Sequence, residues 1–208
     1  MAESKEIKYL GDIKSSYIIK GIFLFLNEKQ KLNLIIYNKG VQTILGVDIN
    51  SYKKKSGKYR IIEKNGKGKE YDNYGNLIFE GEYLNGKRTG KGKEYDKNGK
   101  LRFEGEYLNG ERNGKGKENY YGKLRFEGEY LNGERSGKGK EYDKNGKLIF
   151  EGEYLNGKIW NGKGYNNNGI IEFEINNGKG YIKEYDYFNG KLRFEGEYLN
   201  GERNGKGK

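Results

Sequence analysis

Two glycine-containing motifs in this 208-residue sequence come nearest to known ligand-binding loops. Gly110-Glu-Arg-Asn-Gly114-Lys115 has the glycines and the lysine of a phosphate-binding loop, which would hold phosphate oxygens with its backbone N–H groups. The two glycines are too close together for that loop, however, and Gly116 follows where Ser or Thr should bind magnesium. The motif therefore predicts a hairpin loop.

The second motif, Asp96-Lys97-Asn98-Gly99, begins like a calcium-binding loop. It lacks the further carboxylates and the bidentate glutamate that such a loop needs to surround the ion. Asp, Asn and Gly are also the residues that turns prefer, so this motif predicts a turn.

The residue composition excludes several kinds of chemistry. The chain has no histidine and no cysteine, which rules out imidazole or thiolate zinc sites, disulfides, and His or Cys catalysis. A general base would have to be a Glu or Lys with a shifted pKa, and the acidic residues lie in a repetitive, exposed pattern. We expect no enzymatic activity, no metal and no cofactor.

The elements that carry these motifs are copies of one sequence. Each copy reads FEGEYLNG, then a short polar turn, then GKGKEYD or a variant of it. The phenylalanines that open the copies are Phe79, Phe103, Phe126, Phe150 and Phe194, and the first four are separated by 24, 23 and 24 residues. A fixed period of this length predicts a repeat array.

Within a copy, residues 101–108 alternate between apolar and polar, which predicts a strand with one aromatic and one charged face. Residues 114–118 alternate glycine with lysine and predict the returning strand, with 109–113 as the hairpin loop. This loop would place Tyr107 opposite Gly116, where the missing side chain leaves room for the ring.

Opposite charges would also meet across the hairpin, with Glu106 facing Lys117. Tyr95 and Tyr142 stand an odd number of residues from their glycines. We predict a β-bulge at the preceding Lys-Glu pair that returns each tyrosine to the aromatic face.

The pattern F-E-G-E-Y-L-N-G-x-R-x-G-K-G-K-E-Y stands at 79–95, at 103–120 with Asn119 inserted, and at 126–142. It resembles the MORN repeat and its variant form, and the resemblance covers residues 59–208. It implies a mainly β fold, an elongated antiparallel β-hairpin ribbon that serves as a binding or assembly surface without chemistry of its own.

Aromatic residues of this array are the candidate binding surface. Trp160 lies where the array becomes irregular, over 155–190, and tryptophan is enriched at binding hot spots. A packing adjustment is the alternative explanation for the irregularity. The candidate residues are Tyr83, Tyr107, Tyr130, Tyr154, Trp160, Phe173 and Tyr198.

The net charge of +11 raises the question of acidic partners. Residues 103–125 carry only +1, because glutamates offset their lysines and arginines, which argues against nucleic-acid binding. Rows of lysine remain candidates for contacts with acidic phospholipid headgroups. These lysines are Lys91, Lys93, Lys115, Lys117, Lys138 and Lys140.

Residues 1–58 are not repeats and form a predicted helical domain. Ser15 or Ser16 can cap a first helix, Asn27 breaks it, and Glu28 to Asn38 and Val41 to Leu45 predict two more. Residues 13–46 loosely resemble an F-box, which implies docking to a ubiquitin-ligase adaptor. The alternative is a small cap over the first edge of the sheet.

The ends of the sequence lead to two further expectations. The N-terminus lacks the order of a signal peptide, and the apolar run 21–26 is too short to span a bilayer, so we expect a cytoplasmic protein. The last copy, 194–208, stops before Glu-Tyr-Asp. This predicts a fragment of a longer array or a dimer formed by pairing of the open edge.

These observations favour a non-enzymatic scaffold for protein–protein interaction. A peripheral membrane module that binds acidic phospholipids and a substrate-recognition subunit of a ubiquitin ligase are the two alternatives.

Overall fold

The computed structural model describes residues 15–36, 38–47, 49 and 57–204. In this part of the chain, three short helices precede fourteen strands that form one antiparallel sheet in sequence order. The predicted fold class, a mainly β array of hairpins after a helical segment, is confirmed. Contacts divide the chain into two compact units, residues 1–61 with 70–77 and residues 62–69 with 78–208.

The helices of the first unit begin at side chains that cap them. Helix α1 spans Ser16–Phe25, α2 spans Glu28–Ile36 and α3 spans Lys39–Leu45. The Ser15 hydroxyl accepts the N–H of Ile18, and Asn27 and Gln30 exchange hydrogen bonds of 2.9 and 3.0 Å at the start of α2. Both predicted boundaries, a cap at Ser15 and a break at Asn27, are therefore confirmed.

One apolar cluster holds the first unit together. It contains Ile19 and Phe23 of α1, Leu32 and Ile35 of α2, and Val41 of α3, together with Tyr59 of the first strand. Leu32 and Ile35 are fully buried. Burial of one such side chain contributes about 1.5 to 3 kcal/mol, so these short helices depend on the shared cluster rather than on their own propensity.

The strands follow one another as hairpins. They are β1 Tyr59–Ile62, β2 Lys67–Tyr71, β3 Leu77–Leu84, β4 Lys87–Tyr95, β5 Leu101–Leu108, β6 Glu111–Tyr120, β7 Lys123–Leu131, β8 Glu134–Tyr142, β9 Leu148–Leu155, β10 Lys158–Tyr165, β11 Ile171–Asn176, β12 Lys179–Tyr185, β13 Leu192–Leu199 and β14 Glu202–Asn204.

The hairpin loop inside each copy is shorter than predicted. Leu108 pairs directly with Glu111, so the loop is Asn109-Gly110 alone, and both residues have positive φ (55° and 102°). Asn-Gly adopts this two-residue turn readily, and its twist matches that of the strands. The prediction of a 109–113 loop is therefore wrong.

The shorter loop changes the cross-strand pairs. Tyr107 lies opposite Arg112 rather than Gly116, and Glu104 rather than Glu106 lies opposite Lys117. Register is then restored by a bulge in which residues 113–115 oppose Glu106 alone. The Glu106 carboxylate accepts the N–H of Lys115 at 3.3 Å and stabilises the bulge.

A second bulge lies where the sequence predicted one, at the Lys-Glu pair before Tyr95. The register shifts between Glu94 and Tyr95, with Arg102 as the extra residue on β5. The predicted consequence is wrong, however. Glu94 lies opposite Phe103 on the aromatic face, whereas Tyr95 is on the charged face and donates its hydroxyl proton to Glu80.

Candidate functional site

The aromatic face is built on pairs of glycines. Gly105 lies opposite Gly116, and the ring of Phe103 covers the pair. Phe103 itself is fully buried. A Cβ on Gly105 would lie 2.7 Å from the ring, so only glycine leaves room for it. Tyr107 packs edge-on against Phe103, with ring centroids 5.7 Å apart.

A chain of arginines and glutamates lies over these rings. The Arg112 guanidinium is 4.0 Å from the centre of the Phe103 ring, and its nitrogens lie 2.6 Å from Glu94 and 3.5 Å from Glu118. Tyr107 donates its hydroxyl proton to Glu94 at 2.9 Å. We call this chain the Arg–Glu ladder; its members are Arg88, Glu94, Arg112, Glu118, Arg135 and Glu141.

Contacts within the ladder shift the pKa values of Glu94 and Glu118. Burial alone would raise the pKa of Glu94, but the hydrogen bond and the charge of Arg112 lower it below its ordinary value. Glu118 behaves in the same way beside Arg135. Burial, then the Glu94 charge, raises the pKa of Tyr107 far above its ordinary value. Glu94 and Glu118 are therefore ionised near neutral pH, and Tyr107 is protonated.

The predicted binding tyrosines are part of this packing. Tyr83, Tyr107, Tyr130 and Tyr154 are all buried in the same cluster, none more than 6% exposed. Their rings pack on phenylalanine, so a partner approaching this face would meet Arg and Glu instead. Tyr198 is half-buried, and its hydroxyl donates to Glu184.

The irregular part of the array replaces the ladder with apolar groups. In β10, Ile159 stands at the arginine position, and Gly164 stands at the glutamate position opposite Phe173. Ile175 in β11 stands opposite Gly162, at the position that Gly105 has in its copy, and is buried. The arginine and the glutamate are thus missing together from β10, which avoids leaving one of them buried without the other.

The remaining predicted residues of this part are half-buried. Phe173 stacks on Phe150 at 6.3 Å. The Trp160 ring lies against the turn glycine Gly178, where a Cβ would come within 2.7 Å of it. Trp160 therefore packs within the sheet.

The opposite face carries the predicted lysine rows, and glutamates stand across from them. Lys117 lies 3.4 Å from Glu127, and Lys140 lies 3.6 Å from Glu151. Lys115 is paired in register with Glu129. The other three lysines have equivalent neighbours, Glu106 for Lys91, Glu104 for Lys93 and Glu153 for Lys138.

This charged face contains a groove of about 860 Å³, which we call the charged groove. Its lining has equal numbers of lysines and glutamates, with glycine backbone between them. The charged residues are Lys115, Lys117, Lys138, Lys140, Lys163, Glu104, Glu127, Glu129, Glu151 and Glu153. Lys91 and Lys93 lie outside the groove.

Tyrosines hold the groove glutamates, and one of them, Tyr142, was predicted to lie on the aromatic face. Tyr142 donates to Glu127 and Tyr165 donates to Glu151, both at 2.6 Å. The hydrogen bond from Tyr142 lowers the pKa of Glu127, and Lys117 adds to the effect. The odd spacing of these tyrosines from their glycines was the available signal, because an odd spacing without correction puts them on the charged face.

Other kinds of site are not found in the described residues. No group of three or more acidic side chains there could hold a metal ion. No helix in the described part is long and apolar enough to cross a membrane.

Comparisons with known proteins agree with the repeat architecture. The profile of the MORN repeat variant matches residues 88–109 and 135–156, and that of the MORN repeat matches 103–123 and 194–208. No curated protein matches the sequence. The resemblance of residues 13–46 to an F-box remains a prediction.

Among solved structures, two crystal structures of TarM are similar to this chain. One is described as TarM, with 14% identity and a TM-score of 0.25 over 86% of this chain. The other is a mutant of S. aureus TarM in complex with Fondaparinux, alpha-GlcNAc-glycerol and UDP, with 13% identity, the same TM-score and the same coverage. This chain spans 26% and 27% of the length of those two chains.

Proposed function

The chain is a MORN repeat protein, and from this premise we propose that it is a non-enzymatic scaffold that binds a polypeptide partner in the charged groove. The observation that carries the proposal is the groove itself, with about 860 Å³ of space over several hairpins and fixed charges along both sides. We further propose that this takes place in the cytoplasm.

The charges of the groove are held in place before a partner arrives. Glu127 is fixed by Lys117 at 3.4 Å and by the Tyr142 hydroxyl at 2.6 Å. Groups that are already ordered lose little conformational entropy on binding, which favours affinity. This arrangement therefore supports a recognition surface of defined spacing.

The spacing indicates the kind of partner. Neighbouring strands are about 4.8 Å apart, so charges of one sign recur about every 10 Å, with the opposite sign halfway between. A polypeptide segment with alternating acidic and basic side chains can match both signs. A uniformly acidic partner would meet as many glutamates as lysines in the groove.

The same balance argues against a membrane surface as the partner. Binding to acidic headgroups depends on uncompensated basic residues, each contributing about 1 kcal/mol near the surface. Each of the six candidate lysines has a glutamate directly opposite it on the neighbouring strand. The phospholipid alternative thus has the weaker support.

The ubiquitin-ligase alternative has one observation in its favour. Helix α1 exposes Tyr17 (86%), Leu24 (80%) and Phe25 (91%) within the F-box-like segment 13–46. Exposed apolar side chains of this size are typical of docking surfaces. If a ligase adaptor binds here, Leu24→Asp with Phe25→Asp will abolish its co-purification with the full chain; an adaptor that never co-purifies removes this alternative.

Affinity capture with the full chain tests the main proposal. One variant replaces Lys115, Lys117, Lys138 and Lys140 by Gln. A matched control replaces four exposed lysines outside the groove, Lys87, Lys97, Lys100 and Lys179, which changes the net charge equally.

We expect the groove variant to lose the bound proteins and the control to retain them. If both variants lose the bound proteins equally, net charge alone explains the binding. Retention by both would place the partner elsewhere. Binding of the same proteins to acidic vesicles tests a membrane as the partner. If the native chain and the control bind the vesicles strongly and only the groove variant does not, the phospholipid alternative is favoured.

A further inference from the structure

A separate cavity of about 440 Å³ lies where the hairpin of β6 and β7 departs from the repeat. Asn119 is an insertion here, and the two strands are joined by a tight turn at Tyr121 (φ 51°) and Gly122 (φ 80°). The copies on either side have an Asp-Lys-Asn-Gly loop at this place, at 96–99 and 143–146. Arginine and tyrosine side chains line the cavity, among them Arg102, Arg112, Arg125, Tyr120 and Tyr121.

Two of these arginines form no ion pair with a carboxylate of the described residues. Arg102 and Arg125 are the extra residues of the bulges in β5 and β7. The ladder arginines Arg112 and Arg135 form ion pairs at 2.6 and 2.7 Å, whereas Arg102 and Arg125 form none within the described part of the chain. Their guanidinium donors remain available inside the cavity.

The two carboxylates in the lining are already occupied. Glu118 accepts from Arg135 at 2.7 Å and from the Tyr130 hydroxyl at 2.7 Å. Asp96 accepts two backbone N–H groups of its own turn, from Asn98 and Lys100. With three arginines against two satisfied carboxylates, the lining carries an excess positive charge.

Aromatic contacts fix one wall of the cavity. The Tyr120 ring lies 5.4 Å from Tyr187 and 5.6 Å from Phe188, which belong to the turn between β12 and β13. The Arg125 guanidinium lies 5.6 Å from the Tyr120 ring and 5.8 Å from the Tyr187 ring. These contacts join turns that are six strands apart, so Tyr120 and Arg125 are held in place rather than left at a free loop tip.

We propose that this cavity binds a phosphate monoester carried on a planar ring. Arg102 and Arg125 would bind the phosphate, because guanidinium groups match phosphate oxygens in pairs. The ring would stack on Tyr121, which is 63% exposed beside the cavity. The site lies away from the charged groove and does not depend on the scaffold function.

Calorimetric titration of the full chain with small probes tests the proposal. Phenyl phosphate is the primary probe. Glycerol phosphate supplies the phosphate without a ring, and phenol supplies the ring without a phosphate. Adenosine monophosphate and phosphotyrosine distinguish two sources of the same chemistry.

We expect phenyl phosphate to bind at least about tenfold more tightly than glycerol phosphate or phenol, because both halves contribute. Arg102→Gln and Arg125→Gln should each weaken it about tenfold. Arg193→Gln is the matched control, since Arg193 is the bulge residue of β13 and does not line the cavity, and it should leave binding unchanged.

Thermal melts of the three variants separate loss of binding from loss of folding. If Arg102→Gln melts early, Arg102→Lys keeps the charge and provides the second variant, which should bind more weakly than the native chain. No binding of any ring-bearing phosphate, equal binding of glycerol phosphate, or equal effects of all three Gln variants would each overturn the proposal.

Discussion

Removal of two neighbouring members of the Arg–Glu ladder should cost less stability than the sum of the two single removals. Arg135 bridges Glu118 at 2.7 Å and Glu141 at 2.5 Å, and it lies 4.0 Å over the Phe126 ring. Its side chain is 17% exposed, and those of Glu118 and Glu141 are 22% and 26% exposed. Arg135→Met leaves both glutamates without their strongest partner.

Loss of one partner from a buried ion pair typically costs about 3 to 5 kcal/mol. Because these groups retain about a fifth of their exposure, we expect Arg135→Met to lower the free energy of unfolding by roughly 2 to 4 kcal/mol. Glu141→Leu should cost about 1 to 2 kcal/mol, since Arg135 keeps Glu118. The double variant should cost at least about 1 kcal/mol less than the sum of the two.

The chain itself contains a version of the double replacement. Ile159 and Gly164 in β10 stand where the other copies have arginine and glutamate, and the sheet continues through them. Urea denaturation of the full chain measures the cycle. Arg193→Met is the control, since Arg193 is exposed and forms no ion pair within the described residues; it should change stability by less than about 0.5 kcal/mol. Strict additivity, or a cost of Arg135→Met no larger than that of Arg193→Met, would refute this reasoning.

Three other outcomes follow from the same contacts. Gly128→Val should cost roughly 1 to 3 kcal/mol in denaturant melts, because its Cβ would lie 2.6 Å from the Phe126 ring and 2.7 Å from the Lys138 carbonyl oxygen. It should cost more than Gly133→Val, where φ is 86° but no atom is in the way; the reverse order would contradict the face assignment. Burial and the Glu127 hydrogen bond raise the pKa of Tyr142 from 10.0 to about 12. The stability that this group contributes is therefore complete below pH 10 and is lost as the pH rises to about 12. If the Tyr142 phenolate absorbs already near pH 10, the hydrogen bond is excluded. Acidic vesicles should bind weakly, and tight, salt-sensitive sedimentation that is lost on charge reversal of the six candidate lysines would contradict the charge balance of the groove.

The sequence was sufficient to predict the repeat, the antiparallel hairpins and the separation into an aromatic and a charged face. These depend on period and alternation, which are local properties. The loop length was predicted wrongly because 109–113 is uniformly rich in turn formers. Only the backbone shows that Asn109-Gly110 closes the hairpin and that 113–115 form a bulge.

The Arg–Glu ladder could not be predicted for the same reason. Which of Glu94 and Tyr95 faces the aromatic side depends on the position of a bulge, and a shift of one residue exchanges the two faces. The contact of Tyr120 with Tyr187 and Phe188 depends on how the sheet twists over six strands. Such a contact between distant residues is not encoded in any single copy of the repeat.

The central claim is that the charged groove is the surface that a partner covers. Acetylation of lysines in the full chain, free and bound to its captured partner, measures this directly by mass spectrometry. We predict protection of Lys115, Lys117, Lys138 and Lys140 in the complex, with Lys87 and Lys179 labelled equally in both states. Unchanged labelling of the four groove lysines in a complex that is fully formed would contradict the claim.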